Sequence, residues 1–258
     1  IDAFSFGAFT GNQAAVCILE EPKSDEWLQQ IAAEFNYSET AFLWYRGINH
    51  WQLRWFTPSC EVKLCGHATL ASAHALAREM GIKESEFLFS TLSGTLSAKT
   101  GAENITLTFP KIQCEYLSKV YLHELGFDEL GLNALDTYRA GEDFLIHLGS
   151  EDEVKNYEPD FATIARLTPR GMIITPASSN SERDFVSRFF APAVGVNEDP
   201  VTGSAHCSLA VFWERQLGKS ELRAEQLSKP GGILDLKVDE GSVNLTGKCF
   251  TFAKGKFK

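Results

Sequence analysis

Two stretches of this chain are copies of one device, and that duplication limits the folds open to it. The first runs Arg54-Trp-Phe-Thr-Pro58, enters Gly66-His-Ala-Thr-Leu-Ala-Ser-Ala73 and closes at Gly81. The second runs Arg188-Phe-Phe-Ala-Pro192, enters Gly203-Ser-Ala-His-Cys-Ser-Leu-Ala210 and closes at Gly218. Gly66 pairs with Gly203, Ala68 with Ala205, Ala73 with Ala210, Arg78 with Arg215 and Gly81 with Gly218. A repeat this long predicts two similar lobes with a cleft between them, the kind of place that ligand sites favour.

The chain of 258 residues is long enough for two lobes of roughly 120 to 130 residues each. Strand and helix patterns alternate in each half. Val16 to Leu19, Thr40 to Tyr45, Trp51 to Phe56, Thr95 to Thr100 and Ile105 to Phe109 read as strands of the first half. Ser24 caps a helix whose apolar face is Trp27, Leu28, Ile31, Ala32 and Phe35. Phe144 to Leu148, Met172 to Thr175, Asp184 to Phe190, Ile233 to Val238 and Val243 to Thr246 are their counterparts. The class is α+β: two pseudo-symmetric lobes, each a mixed sheet wrapped around a central helix. The lobes are expected over residues 1–115 and 116–258, joined within about 111 to 135, with the terminal segment free to return to the first lobe.

The central helices, expected over 67–80 and 204–217, carry mostly small or apolar side chains, so each is expected to be surrounded by protein. Their glycine-led starts leave backbone N–H groups without intrahelical partners. Such an end can seat a carboxylate or a developing negative charge, or Gly66 and Gly203 can be plain helix-start glycines. Aligning Ile31-Ala32 with Ile164-Ala165 sets Glu39 opposite Met172, a carboxylate in one copy alone. Glu39 is either a lone acid/base group or a solvated glutamate ahead of a strand. His67 corresponds to Ser204. It either caps its helix or serves as a neutral hydrogen-bonding or proton-donating group. Asp199 orients a substrate hydroxyl or amine, or holds His67, or merely opens a turn with Pro200.

A net charge of −10 argues against a nucleic-acid partner. No apolar run approaches the ~20 residues of a membrane span, and the expected location is the cytoplasm. The six cysteines form no Cys-x-x-Cys pair and fit no zinc pattern, so they read as reduced, half-buried residues.

The residues around these candidates resemble the PhzF-like family, which shares the diaminopimelate-epimerase fold. The resemblance runs through Ile1-Asp-Ala-Phe4, Phe9-Thr-Gly-Asn12, Ala14-Ala-Val16, Ser38-Glu-Thr-Ala-Phe42 and Arg54-Trp-Phe-Thr-Pro58. It continues in Glu61-Val62, Leu64-Cys-Gly-His-Ala-Thr69 and Glu198-Asp-Pro-Val-Thr-Gly-Ser-Ala-His206. It implies an acid/base role for Glu39 and substrate binding at His67 and Gly66. Asp199 and Ser204 fall where the family has its aspartate and serine, with Gly203 beside the serine. It further implies a cofactor-independent, metal-free isomerase, commonly a homodimer, acting on a small, carboxylate-bearing cyclic substrate. The founding activity of the family moves a hydrogen along the ring system of a dihydro-hydroxyanthranilate. Gln13 departs from the family pattern, where proline usually follows Gly-Asn.

Two rivals remain. Related epimerases and racemases use two opposed thiols, and Cys65 stands where one belongs, but Thr202 occupies the matching place before Gly203 and Cys207 lies four residues beyond that glycine. The chain can also be a catalytically silent metabolite-binding protein. A Cys65–His67 hydrolase lacks an orienting pattern.

Overall fold

The computed structural model describes residues 1–256. The chain divides into two compact units, one of Ile1–Thr108 with the closing segment from Leu245, the other of Phe109–Asn244. Residues 111 to 135, expected as the join, therefore belong to the second unit and carry regular structure of their own.

The first unit opens with β1 (Asp2–Ala3) and β2 (Asn12–Leu19), followed by α1 (Asp25–Phe35). Ser24 starts α1 by accepting a hydrogen bond from the Trp27 N–H, and Asn36 ends it in the left-handed conformation. Leu28 and Ala32 on its inner face pack on Cys17, Phe42 and Phe56. Then come β3 (Glu39–Gly47), β4 (His50–Phe56), β5 (Glu61–Val62) and α2 (Gly66–His74). Strands β6 (Glu86–Thr91), β7 (Gly94–Thr100) and β8 (Ile105–Pro110) follow, β6 being absent from the sequence reading.

Every residue of α2 from His67 to Ala73 is buried. The helix packs against β1, β2, β3, β7 and the closing pair Cys249–Phe250. Small residues permit this approach from several sides, and the two hydroxyls among them bond back to the helix itself. Thr69 donates to the Cys65 carbonyl at 2.6 Å and Ser72 to the Ala68 carbonyl at 2.7 Å. The helix does not run regularly to residue 80 as expected. Residues Ala75–Glu79 form a π-helical turn, in which the Met80 N–H reaches the Ala75 carbonyl, five residues back.

The second unit contains β9 (Cys114–Leu117), α3 (Lys119–Glu124), β10 (Asp136–Ala140), β11 (Asp143–His147), α4 (Glu151–Asn156) and α5 (Phe161–Leu167). It goes on through β12 (Gly171–Thr175), β13 (Phe185–Ala191), β14 (Val196–Asp199), α6 (Gly203–Leu217), β15 (Glu221–Gln226) and β16 (Gly232–Val238). Leu122, Phe127, Phe144, Val154, Ile164 and Phe190 meet in one core under α3, α4 and α5. Helix α6 packs on β9, β15 and β16, and its Gly218 terminates it with a positive φ of 67°.

Within each unit the strand pairings recur in the same order. β1–β2 and β10–β11 are antiparallel, while β2–β3 and β11–β12 are parallel. β3–β4 and β12–β13 are antiparallel, β4–β6 and β13–β15 parallel, β6–β7 and β15–β16 antiparallel. The copies share half-buried ion pairs as well as topology. Arg54 grips Glu61 through Nε and Nη2 at 2.6 and 2.7 Å, and Arg188 grips Glu198 in the same way at 2.7 and 3.0 Å. Each guanidinium also lies over the phenylalanine two residues on, Phe56 and Phe190.

The register corrects one expectation. Thr40 pairs with Phe56 and Met172 with Phe190, so Met172 matches Thr40, and Glu39 matches Gly171. The shift arises because α5 ends three residues after Ile164, whereas α1 runs four residues past Ile31.

Candidate active site

Glu39 is the first residue of β3, set beside Ala14 of β2. Its side chain is 19% exposed and His67 only 7%, with Glu39 Oε2 and His67 Nε2 3.3 Å apart. His67 is the second residue of α2, the same turn that begins at Gly66. No side chain caps this helix: Cys65 precedes it in extended conformation, and the first backbone bond runs from the Thr69 N–H to the Cys65 carbonyl. Cys65 Sγ, buried, lies 3.5 Å from His67 Nδ1. A carboxylate, an imidazole and a thiol therefore meet at the start of the buried helix, and Glu39 is the most exposed of the three.

Burial pushes the His67 imidazole down to about 4, against the opposing pull of a hydrogen bond with the Gln13 backbone. At neutral pH the ring is uncharged, with one nitrogen donating and the other accepting. Its 3.3 Å approach to Glu39 is then a polar contact and not an ion pair. The arrangement can hold a carboxylate near a neutral donor at a positive helix end, which suits proton transfer with stabilisation of developing negative charge.

In the second unit, Asp199, Gly203 and Ser204 gather around the start of α6. Asp199 Oδ2 accepts a hydrogen bond from the Thr202 hydroxyl. Gln226 clamps the same loop, donating to the Asp199 carbonyl at 2.5 Å and accepting from the Thr202 N–H at 2.9 Å. Gly203 is buried as the first residue of the helix. Ser204 Oγ accepts from Arg170 Nη2 at 2.6 Å, and Arg170 Nη1 donates to Asp143 Oδ2 at 2.7 Å.

Arg170, Asp143 and Gln226 were not singled out from sequence. Asp143 pairs in register with Gly171, the place held by Ala14 beside Glu39, so the second unit carries its carboxylate on the neighbouring strand. A Cβ at Gly171 would lie 2.5 Å from the Phe189 ring, so no side chain fits there. Burial pushes Asp143 up to about 6, although Arg170 beside it pulls the other way. Reading the repeat one residue earlier would have exposed the exchange.

The family model for phenazine biosynthesis-like proteins, PhzC-PhzF, matches residues 1–255. The chain belongs to this family. A relative in Halalkalibacterium halodurans, named as an uncharacterized isomerase, is 46% identical over 257 residues, covering 99% of this chain and 96% of the relative. A PhzF-family phenazine biosynthesis protein from Enterococcus faecalis superposes with a TM-score of 0.91 at 40% identity, over 98% of this chain and 95% of that one. A hydroxyproline epimerase from Agrobacterium vitis, 13% identical, superposes at 0.56 over 94% of this chain and 88% of its own, which shows a shared fold alone. The α+β class and the diaminopimelate-epimerase-like architecture are those expected from the sequence. Among the described residues no helix is long and apolar enough to cross a membrane.

Proposed function

We propose that this PhzC-PhzF protein is a cofactor-independent isomerase that moves a proton between carbons of a small, cyclic, carboxylate-bearing substrate. Glu39 is its acid/base group. The observation that carries the reading is the 3.3 Å approach of Glu39 to a buried, neutral His67 at the uncapped start of α2. Glu39 removes a proton from a carbon made acidic by neighbouring unsaturation and returns it to another carbon. His67 and the N–H groups beside Gly66 stabilise the charge that develops between the two steps. On the family pattern Asp199 is assigned a catalytic role and Gly203 and Ser204 substrate binding, and the active form is taken as a homodimer, a state that sedimentation equilibrium tests.

The thiol reading is disfavoured by two features. Thr202 precedes α6 where Cys65 precedes α2, so the matching place holds a hydroxyl. Cys207 donates to the Gly203 carbonyl at 3.4 Å, and burial pushes its thiol up to about 12, so it remains protonated.

The test is incorporation of solvent deuterium into a panel of unsaturated cyclic amino and hydroxy acids. The native chain exchanges a carbon-bound hydrogen in at least one, and Glu39→Gln lowers that rate by roughly 10²–10⁴-fold. Absence of exchange across the panel would favour a silent binding protein. Exchange that survives Glu39→Gln but is lost on thiol alkylation would establish the rival epimerase chemistry.

A further inference from the structure

The geometry points to Arg170 as a positioning residue: it fixes the Ser204 hydroxyl as a one-way hydrogen-bond donor, so that the start of α6 takes a carboxylate and refuses its amide. The inference rests on the reading of Ser204 as a substrate-binding residue and on no step of proton transfer. Between Val201 and Trp213 every residue is buried except Ser204, which is half-buried. Solvent therefore reaches the start of α6 at that one side chain. Thr202, which precedes the helix, does not cap it; its hydroxyl is turned to Asp199.

Arg170 sets which way Ser204 works. Its Nη2 donates to Ser204 Oγ at 2.6 Å while its Nη1 donates to Asp143 Oδ2 at 2.7 Å. The guanidinium also lies 5.4 Å from the centroid of the Phe189 ring. That ring occupies the space a side chain at Gly171 would need. A serine hydroxyl left to itself can donate or accept. With its oxygen engaged by the guanidinium, the hydroxyl hydrogen is directed away from Arg170, toward an incoming acceptor. Asp143, whose side chain is only 2% exposed, balances the charge, so Arg170 does not act as a free cation. What it contributes is direction. A carboxylate accepts the Ser204 O–H in a charge-assisted bond and is favoured further by the uncapped helix start. A primary amide brings N–H donors instead, which meet the N–H groups of Arg170 and find the Ser204 oxygen already engaged.

The repeat shows that the scaffold does not require this pair. The register that matches Glu39 with Gly171 also matches Ser38 with Arg170 and Ala14 with Asp143. The first unit builds the same strands with neither charge at those places. Taking a carboxylate out of water to form such a pair adds little net stability. Its service is to Ser204.

The experiment measures binding of anthranilate and of anthranilamide to the full chain by equilibrium dialysis, with the fluorescence of each probe as the readout. It is run at pH 8, where Asp143 and the anthranilate carboxylate are both charged. The native chain should hold the acid at least about 10-fold more tightly than the amide. Arg170→Met should weaken the acid by about 10-fold or more and leave the amide unchanged or tighter. Because that variant strands a buried carboxylate, Arg170→Met with Asp143→Asn is measured beside it and should behave alike, with circular dichroism checking the fold of each. Ser204→Ala should cost the acid as much, and adding it to Arg170→Met should cost less than about 2-fold more. A native chain that binds neither probe, or both alike, overturns the inference. So does a preference for the acid that survives in the Arg170 variants, which marks a merely structural arginine. Losses that multiply in the combined variant overturn it too, because Arg170 then does not act through Ser204. Dialysis needs no turnover, so the outcome is separable from the isomerase reading. Acid preference without deuterium exchange keeps the role of Arg170 and sinks the isomerase, and exchange without acid preference does the reverse.

Discussion

A carboxylate that must take and return a proton is served better by a neutral neighbour than by a cationic one. An imidazolium at 3.3 Å would hold Glu39 in its charged form and oppose proton uptake. Burial prevents this by keeping His67 uncharged down to about pH 4. On the proposed mechanism, the ionisation of His67 is invisible in kcat/KM between pH 5 and 8. His67→Gln, which keeps a hydrogen-bond donor, should lower turnover while leaving the shape of the pH profile in that window unchanged. His67→Ala should cost more, on the order of 10²–10³-fold. A limb near pH 6.5 that vanishes in His67→Gln would show a titrating, cationic His67 and contradict the assignment. At this scale, legibility differed between residues. Gly66-His67 and Gly203-Ser204 stood out through the repeat, whereas Glu39 gained its role only from the family resemblance. Arg170 was hidden because its partners Asp143 and Ser204 lie 27 and 34 positions away in sequence.

Among the elements, the duplication is carried by pairings that a linear reading catches unevenly. The central helices were found because their small residues repeat in order. Strands β6 and β15 were not, for two different reasons. In β6, Leu88 faces outward between buried Phe87 and Phe89, so the alternation of apolar and polar residues is lost. In β15, the inward position of Gln226 is polar because its amide clamps the Asp199–Thr202 loop. The matched arginines show where the copies have diverged in energy. Arg54 adds one contact beyond Glu61, to exposed Asp25, while Arg188 adds hydrogen bonds to the carbonyls of Val154 and Tyr157 at the end of α4. Arg188→Met leaves those carbonyls and Glu198 without their donor, and should cost about 3–5 kcal/mol of stability. Arg54→Met should cost less, about 1–3 kcal/mol, because Asp25 returns to water. Denaturant unfolding measures both, and equal losses would contradict the asymmetry.

For the molecule as a whole, buried titratable groups set an acid sensitivity that follows from their signs. His67 and His206 are both pushed down to about 4 by burial, from an ordinary 6.5. Between those values the unfolded chain binds protons that the folded chain refuses, so each histidine withdraws stability as pH falls through that window. Asp143 acts oppositely. Burial raises it from 3.8 to about 6, so below that the folded chain takes a proton that the unfolded chain does not, and stability is gained on acidification. Two histidines outweigh one aspartate. His74 and His147, also lowered by burial, add to the loss. From pH 6.5 to 5 a single fully buried histidine accounts for about 2 kcal/mol, so the protein should be less stable at pH 5 than at pH 7. His206 offers a variant whose baseline cost is the same at both pH values: it stacks on Phe185, its Nε2 has no hydrogen-bond partner among the described residues, and its Nδ1 donates to the Thr202 carbonyl at 2.8 Å, a bond lost on substitution. His206→Phe keeps a ring in the stack and should flatten the loss between pH 7 and 5. Asp143→Asn should steepen it by removing the compensating proton uptake. Melting temperatures measured at both pH values decide the matter: a native chain more stable at pH 5, or a His206→Phe slope no shallower than native, would mean these histidines take up protons without cost in the fold.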